Sequence, residues 1–258
     1  MIFTMMTETV IRLKDGAQIV ATCHDHPDAT TTAIILHGFY SSRQSGNVIA
    51  ALDSFAAMGL SAIAPDLYGR GDSDGAFGDL TLAKGVDTVS AIIKQIKQRD
   101  STQTIVLTGG SFGGLIALHA AAQLPDIALL ILRAPVSNWR AVWRDWVTPD
   151  EMAAWDQTGV HHGHLPDGRA VTFGRAFYDE IMRDNIYTDV APSLTVPTLI
   201  VHGTADETVP LAQSEMLHSV IADSTTITIP GADHQFKNPE HLKIYQTILQ
   251  DFIAARFK

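Results

Sequence analysis

Gly109-Gly110-Ser111-Phe112-Gly113 sets a serine among glycines, where the apolar run 104–107 gives way to the Ala-rich helical pattern of 111–123. A chain that reverses from strand to helix in so few residues crowds the positions two before and two after the serine. Glycine removes the obstructing Cβ at both. The hydroxyl then stands at a helix N-terminus, where backbone N–H groups and the helix dipole favour developing negative charge. A serine so placed can act as a nucleophile in acyl transfer, given a base to take its proton and a carboxylate to orient that base.

The base and the carboxylate must come from elements whose ends meet that turn. In an open, mostly parallel α/β sheet, reactive groups collect beyond the carboxyl ends of the strands. That condition cuts the chain's 11 histidines to a short list. Asp206 follows the apolar run 198–201 through His202-Gly203-Thr204-Ala205, and His234 follows 225–229 through Pro230-Gly231-Ala232-Asp233. Glu207 is a rival to Asp206. Asp233 is a weaker one, because it adjoins His234 and would have to reach it across its own loop. Non-catalytic readings also stand: Asp206 as a cap for a helix starting near Pro210, and His234 as a loop histidine.

An oxyanion needs backbone donors. The Phe112 N–H, next after the serine, is one candidate, and the Phe39 N–H in the loop His37-Gly38-Phe39-Tyr40 is the other. His37 reads as a structural histidine bonded within its loop. Tyr40, Trp139 and Trp143 are the candidate substrate contacts; the two tryptophans, four residues apart, could share a helical face directed into the pocket.

The positioning elements follow from hydrophobic periodicity. Residues 8–13 and 18–23 flank Asp15-Gly16 and predict an antiparallel hairpin. Near-continuous apolar runs at 33–36, 61–64, 104–107, 128–132 and 198–201 predict strands covered on both faces, while 225–229 alternates like an edge. Val86, Val89, Ile93 and Ile96 lie on one helical face, as do Leu242, Tyr245, Leu249, Phe252 and Ile253. The expected fold is α/β, a mostly parallel central sheet opening with an antiparallel hairpin and covered by helices on both faces. Residues 137–190 interrupt the alternation. They hold all four tryptophans, a loop-like stretch at 161–168 with His161, His162 and His164, and a helical stretch at 175–185. So long an insertion is usually functional. We read 1–136 with 191–258 as the core, and 137–190 as a helical cap that does not fold separately.

Eighteen Lys+Arg against 28 Asp+Glu give a formal charge of −10, which disfavours nucleic acid as a partner. Cys23 is the one cysteine, so no intrachain disulfide can form, as suits a reducing compartment. Residues 1–10 lack the charge and apolar length of a secretory signal, and no run approaches a membrane span. The expectation is a soluble cytoplasmic protein, monomer or homodimer. The three cap histidines have no cysteine or carboxylate in ligand spacing beyond Asp167, so we expect no metal there.

The strings Leu36-His37-Gly38-Phe39, Pro65-Asp66-Leu67-Tyr68-Gly69-Arg70-Gly71-Asp72-Ser73, Gly109 to Gly114, His202 to Pro210 and Gly231-Ala232-Asp233-His234 resemble the α/β-hydrolase superfamily. Within it they are similar to bacterial carboxylesterases, including feruloyl/cinnamoyl esterases and monoacylglycerol-lipase-like enzymes. The resemblance implies a Ser111–His234–Asp206 triad, a structural role for Asp66 and Asp72 in bridging loops, and no cofactor. Relatives with aspartate at the serine position, the haloalkane dehalogenases and epoxide hydrolases, are excluded, as are dienelactone hydrolases with cysteine. What it implies is hydrolysis of small to medium acyl or aryl esters. Thioesterase or acyltransferase activity is the alternative within the same chemistry, and a non-catalytic ligand receptor on the same scaffold is the alternative outside it. The resemblance does not extend to the cap.

Overall fold

The computed structural model describes residues 6–144, 146–183 and 186–257. Eight strands form one sheet: β1 (Met6–Arg12), β2 (Gln18–His24), β3 (Thr31–Leu36), β4 (Ser61–Pro65), β5 (Thr104–Gly110), β6 (Ile127–Arg133), β9 (Thr198–Gly203) and β10 (Ser224–Ile229). Their order is β1-β2-β4-β3-β5-β6-β9-β10. β2 pairs antiparallel with both β1 and β4, and every later pairing is parallel. The hairpin at Asp15-Gly16 forms as its turn residues require, and the alternating strand β10 is one edge, opposite β1.

Alternation along the central strands sends side chains to two apolar layers. Ile34, Leu107, Leu130 and Ile200 face one way, with α2 (Leu82–Arg99), α3 (Phe112–Gln123) and α7 (Leu211–Val220) packed over them. Ala33, Val106, Ile131 and Leu199 face the other, under α1 (Gly46–Ala57) and α8 (Pro239–Arg256). Apolar character on both faces is what makes these strands read as continuous runs.

Between β6 and β9 lie α4 (Trp139–Arg144), α5 (Pro149–Thr158), β7 (His161–His164), β8 (Ala170–Phe173) and α6 (Arg175–Met182). Two expectations change here. Only the second half of 161–168 is a loop: 161–164 is strand β7, which pairs with β8 as a hairpin, and the turn at 165–168 is closed by the Leu165 N–H donating to the Arg169 carbonyl at 2.8 Å. Its histidines concealed the two-residue period. His161 stacks on Trp155, and His162 Nδ1 lies 3.0 Å from Thr172 Oγ1. The helix expected over 175–185 ends at Met182, and positions 184 and 185 fall outside the described residues. Trp155, Phe173 and Phe177 pack into the same apolar cluster as the sheet and α2. Among the described residues no helix is long and apolar enough to cross a membrane.

Asp66 fixes the loops above the sheet. It is fully buried and accepts the Arg43 N–H at 2.7 Å and the Asp72 N–H at 3.0 Å. The buried Arg43 guanidinium sits 3.5 Å from Asp66 and reaches Asp72 at 2.8 Å and Glu8 at 2.5 Å. One carboxylate thus ties together the loop after β3, the loop after β4 and the N-terminal strand. Asp66→Ala leaves the Arg43 and Asp72 N–H groups without their acceptor and takes the one fully buried carboxylate from beside Arg43, so it should cost about 3–5 kcal/mol. Urea denaturation measures this; a loss below about 1 kcal/mol would contradict the clamp.

Candidate active site

The central strand β5 runs into α3 with a single residue between them. That residue, Ser111, has φ 54° and ψ −122°, a conformation costly for any residue with a Cβ. A Cβ on Gly109 would lie 2.2 Å from the Gly113 carbonyl oxygen, and one on Gly113 would lie 2.5 Å from the Leu36 oxygen. Neither position admits another residue without moving backbone. The turn is pinned by neighbours: the Ser111 N–H donates to the Arg133 carbonyl at 3.1 Å, and the Ser111 carbonyl accepts from the N–H groups of Val136 at 3.1 Å and Gly114 at 3.0 Å.

Register delivers the loop after β3 to this turn. Leu36 pairs with Gly109, so His37-Gly38-Phe39 leaves the sheet beside Ser111. A Cβ on Gly38 would stand 3.5 Å from Ser111 Cβ, so bare backbone faces the serine there. Among the described residues no protein group accepts the Phe39 or Phe112 N–H. His37 accepts the Leu67 N–H on Nε2 at 2.9 Å and donates Nδ1–H to the Gly38 carbonyl at 2.8 Å. Burial pushes its pKa down to about 4, so it is neutral and engaged on both nitrogens, reaching one loop further than its sequence reading placed it.

His234 and Asp206 meet. The histidine donates Nδ1–H to Asp206 Oδ2 at 2.7 Å, which leaves Nε2 free for the cavity that Ser111 and His234 both line. Glu207 is exposed, and Asp233 accepts the Lys237 N–H at 2.9 Å within its own loop. Nor does Asp206 cap a helix; its Oδ1 takes the N–H groups of Thr208 and Val209, both at 2.8 Å. A partner that the sequence reading missed is His202, whose Nε2 lies 3.1 Å from Asp206 Oδ2 and 3.0 Å from the Val209 carbonyl. Because a carbonyl can only accept, Nε2 carries the hydrogen, and Nδ1 takes the Ser214 hydroxyl at 2.7 Å. Burial alone would raise the Asp206 pKa. The hydrogen bonds from His202, His234 and the Val209 N–H outweigh it and hold the carboxyl well below the usual range.

The cavity holds about 940 Å³. Tyr40, Trp139, Val142 and Trp146 border it. Trp143 does not: it turns back onto Trp155, Phe173 and Phe177, with ring centroids 5.2–5.6 Å away. The four-residue spacing aimed both tryptophans one way, but α4 is six residues long and presents 139 and 142 to the cavity. Trp146, just beyond the helix, takes the place expected of Trp143. No group of three His, Cys, Asp or Glu able to hold a metal occurs among the described residues.

Residues 27–166 match the family described as serine aminopeptidase, S33. The match includes Ser111 and stops before Asp206 and His234. The monoacylglycerol lipase of Mycolicibacterium smegmatis is 26% identical over 251 residues, covering 83% of this chain and 84% of the relative. The mitochondrial palmitoyl-protein thioesterase ABHD10 of Rattus norvegicus is 24% identical, covering 83% and 72%. Among solved structures, Est1E of Butyrivibrio proteoclasticus with ferulic acid bound superposes with a TM-score of 0.81 at 26% identity, covering 96% of this chain and 98% of that one. The architecture is the α/β-hydrolase fold.

Asp206 carries a pH dependence of definite sign. A carboxylate whose folded pKa is depressed adds stability above its unfolded pKa, about 3.9, and loses that contribution as pH falls through the folded value. Asp206→Asn should therefore be less stable than the native protein at pH 7, with the gap narrowing below about pH 4. Thermal melts across pH 2–7 measure it; a gap that does not change with pH would contradict the assignment.

Proposed function

The chain belongs to the serine aminopeptidase S33 family of hydrolases, and from that premise we propose that it is a serine carboxylesterase acting on small to medium acyl or aryl esters. One observation carries the proposal. The 2.7 Å His234–Asp206 bond leaves the opposite imidazole nitrogen for the cavity that also holds the strained Ser111.

In this reading His234 takes the Ser111 proton as the hydroxyl attacks the ester carbonyl. The N–H groups of Phe39 and Phe112 receive the oxyanion, in which a single donor can contribute about 3 kcal/mol. The alcohol leaves with the proton held by His234, and an acyl-enzyme remains. Water, deprotonated by the same imidazole, then releases the acid. Asp206 orients the ring and stabilises its cation, while His202 and two backbone N–H groups keep Asp206 ionised. The reaction needs no cofactor.

Ester over peptide is supported by the charges in the cavity. Recognition of a free peptide N-terminus requires a carboxylate for the ammonium, whereas the permanently charged side chains bordering the cavity among the described residues are Arg70, Arg133 and Arg169. The similarity to a monoacylglycerol lipase and to Est1E points the same way. The ABHD10 likeness favours a second reading, thioester cleavage by the same residues. Residues 137–190 serve in this reading as the cap that selects the acyl group, through Trp139 and Trp146. Tyr40 borders the same space and contributes from the core side.

Steady-state kinetics on p-nitrophenyl esters of graded chain length, beside acyl-CoA thioesters, test the proposal. Ester turnover should exceed thioester turnover, and Ser111→Ala should lower kcat by at least about 10³-fold. Thioester preference would favour the second reading, and no turnover of either class would contradict both. On the same panel, Trp139→Ala should change the ratio of short to bulky acyl groups. Trp143→Ala should instead lower the melting temperature and reduce all substrates alike; a changed ratio in the Trp143 variant would contradict its placement.

A further inference from the structure

The charge bordering the cavity is opposite to that of the chain. The protein carries a formal −10, yet three arginines and no acid border the cavity among the described residues. Two of the arginines are already engaged. Arg169 pairs with Asp167 at 2.7 Å on the surface. Arg70 donates Nε to the Phe39 carbonyl at 2.8 Å and Nη1 to the Phe77 carbonyl at 2.7 Å, has its guanidinium carbon 3.2 Å from the Phe77 ring centroid, and has its Nη2 closed off from solvent.

Arg133 differs. The one hydrogen bond of its side chain among the described residues runs from Nη1 to the Gln235 carbonyl at 3.3 Å; the guanidinium carbon lies 5.5 Å from the Phe236 ring centroid, and among the described residues no carboxylate lies within ion-pair distance. Burial lowers its pKa, against the pull of Tyr245, Asp206 and Asp233. It closes β6 in register with Gly110, the residue before Ser111. Its Nη2 and Nε stand 2.9 and 3.3 Å from where a Cβ on Gly110 would be. A half-buried guanidinium with most of its donors unused therefore lies one residue from the serine, in a cavity it shares with Thr108, Tyr245 and Gln246.

We propose that Arg133 is a specificity determinant that binds a carboxylate on the substrate, a few bonds from the scissile carbonyl. The guanidinium fork matches a carboxylate in two parallel hydrogen bonds, and a partly desolvated cation without an anionic partner gains from one. The proposal rests on the esterase reading above. The carboxylate can sit on the acyl arm or on the alcohol arm, and the substrates below separate these.

The test uses the native protein, R133Q and R133K. On the acyl arm, p-nitrophenyl hemiglutarate is compared with p-nitrophenyl pentanoate; on the alcohol arm, the butyryl ester of glycolate is compared with propyl butyrate. One anionic ester should exceed its neutral counterpart at least tenfold in kcat/KM, mainly through KM. R133Q should lower that ratio at least tenfold, and R133K should restore part of it. No preference in the native enzyme, or an R133Q loss equal for both members of a pair, would overturn the proposal; the equal loss would mean that Arg133 only holds the His234 loop through Gln235. If neither neutral ester turns over, the esterase reading fails separately, and glutarate becomes the probe. A melting temperature raised by glutarate in the native protein but not in R133Q upholds the anion site, and no difference overturns it.

Discussion

The site depends on the reversal at Ser111. A positive φ on a residue with a Cβ is costly, by about 1–3 kcal/mol, and persists only where surroundings over-determine it. Here three strands do so. β5 supplies the serine, β6 accepts its N–H through Arg133, and β3 brings the Leu36 carbonyl so close that residue 113 must be glycine. The same register that forces the turn also places Gly38 against the serine. The candidate nucleophile and candidate oxyanion donors are thus set by sheet pairing.

The electrostatics are layered outward from that turn. Asp206 is buried, which alone would favour its neutral acid, and its ionisation is secured by two histidines and two backbone N–H groups. His202 donates to it without facing the cavity, and so fixes the carboxylate that His234 must meet. The loop carrying Phe39 is secured separately, through the Asp66 clamp and through Arg70, which grips the Phe39 carbonyl. The serine, the carboxylate and the Phe39 loop are thus each held by a separate set of partners.

Much of this was legible because its causes are local or periodic. Strands buried on both faces read as apolar runs, the Asp-Gly turn marked the hairpin, and the glycines at 109 and 113 marked a reversal that only glycine allows. Asp206 and His234 could be chosen because parallel strands end on one edge. The misses have causes of another kind. Strands β7 and β8 were hidden because His161, His162 and His164 supply no apolar alternation. Trp143 was misdirected because helical spacing says which residues share a face, while tertiary packing decides what that face meets. Arg133 was passed over because it meets Gly110 across the sheet, which no short-range pattern records; His202 was passed over because the irregular turn after β9, and no helical or strand period, brings Asp206, Val209 and Ser214 to it.

The central claim is that Ser111 is the nucleophile, activated by His234. Incubation with a fluorophosphonate, followed by intact mass and peptide mapping, tests it most directly. One phosphonyl adduct is expected, on Ser111, formed at least about 10³-fold more slowly in a folded His234→Ala variant. A folded native protein that takes no adduct, or takes it on another residue, would contradict it.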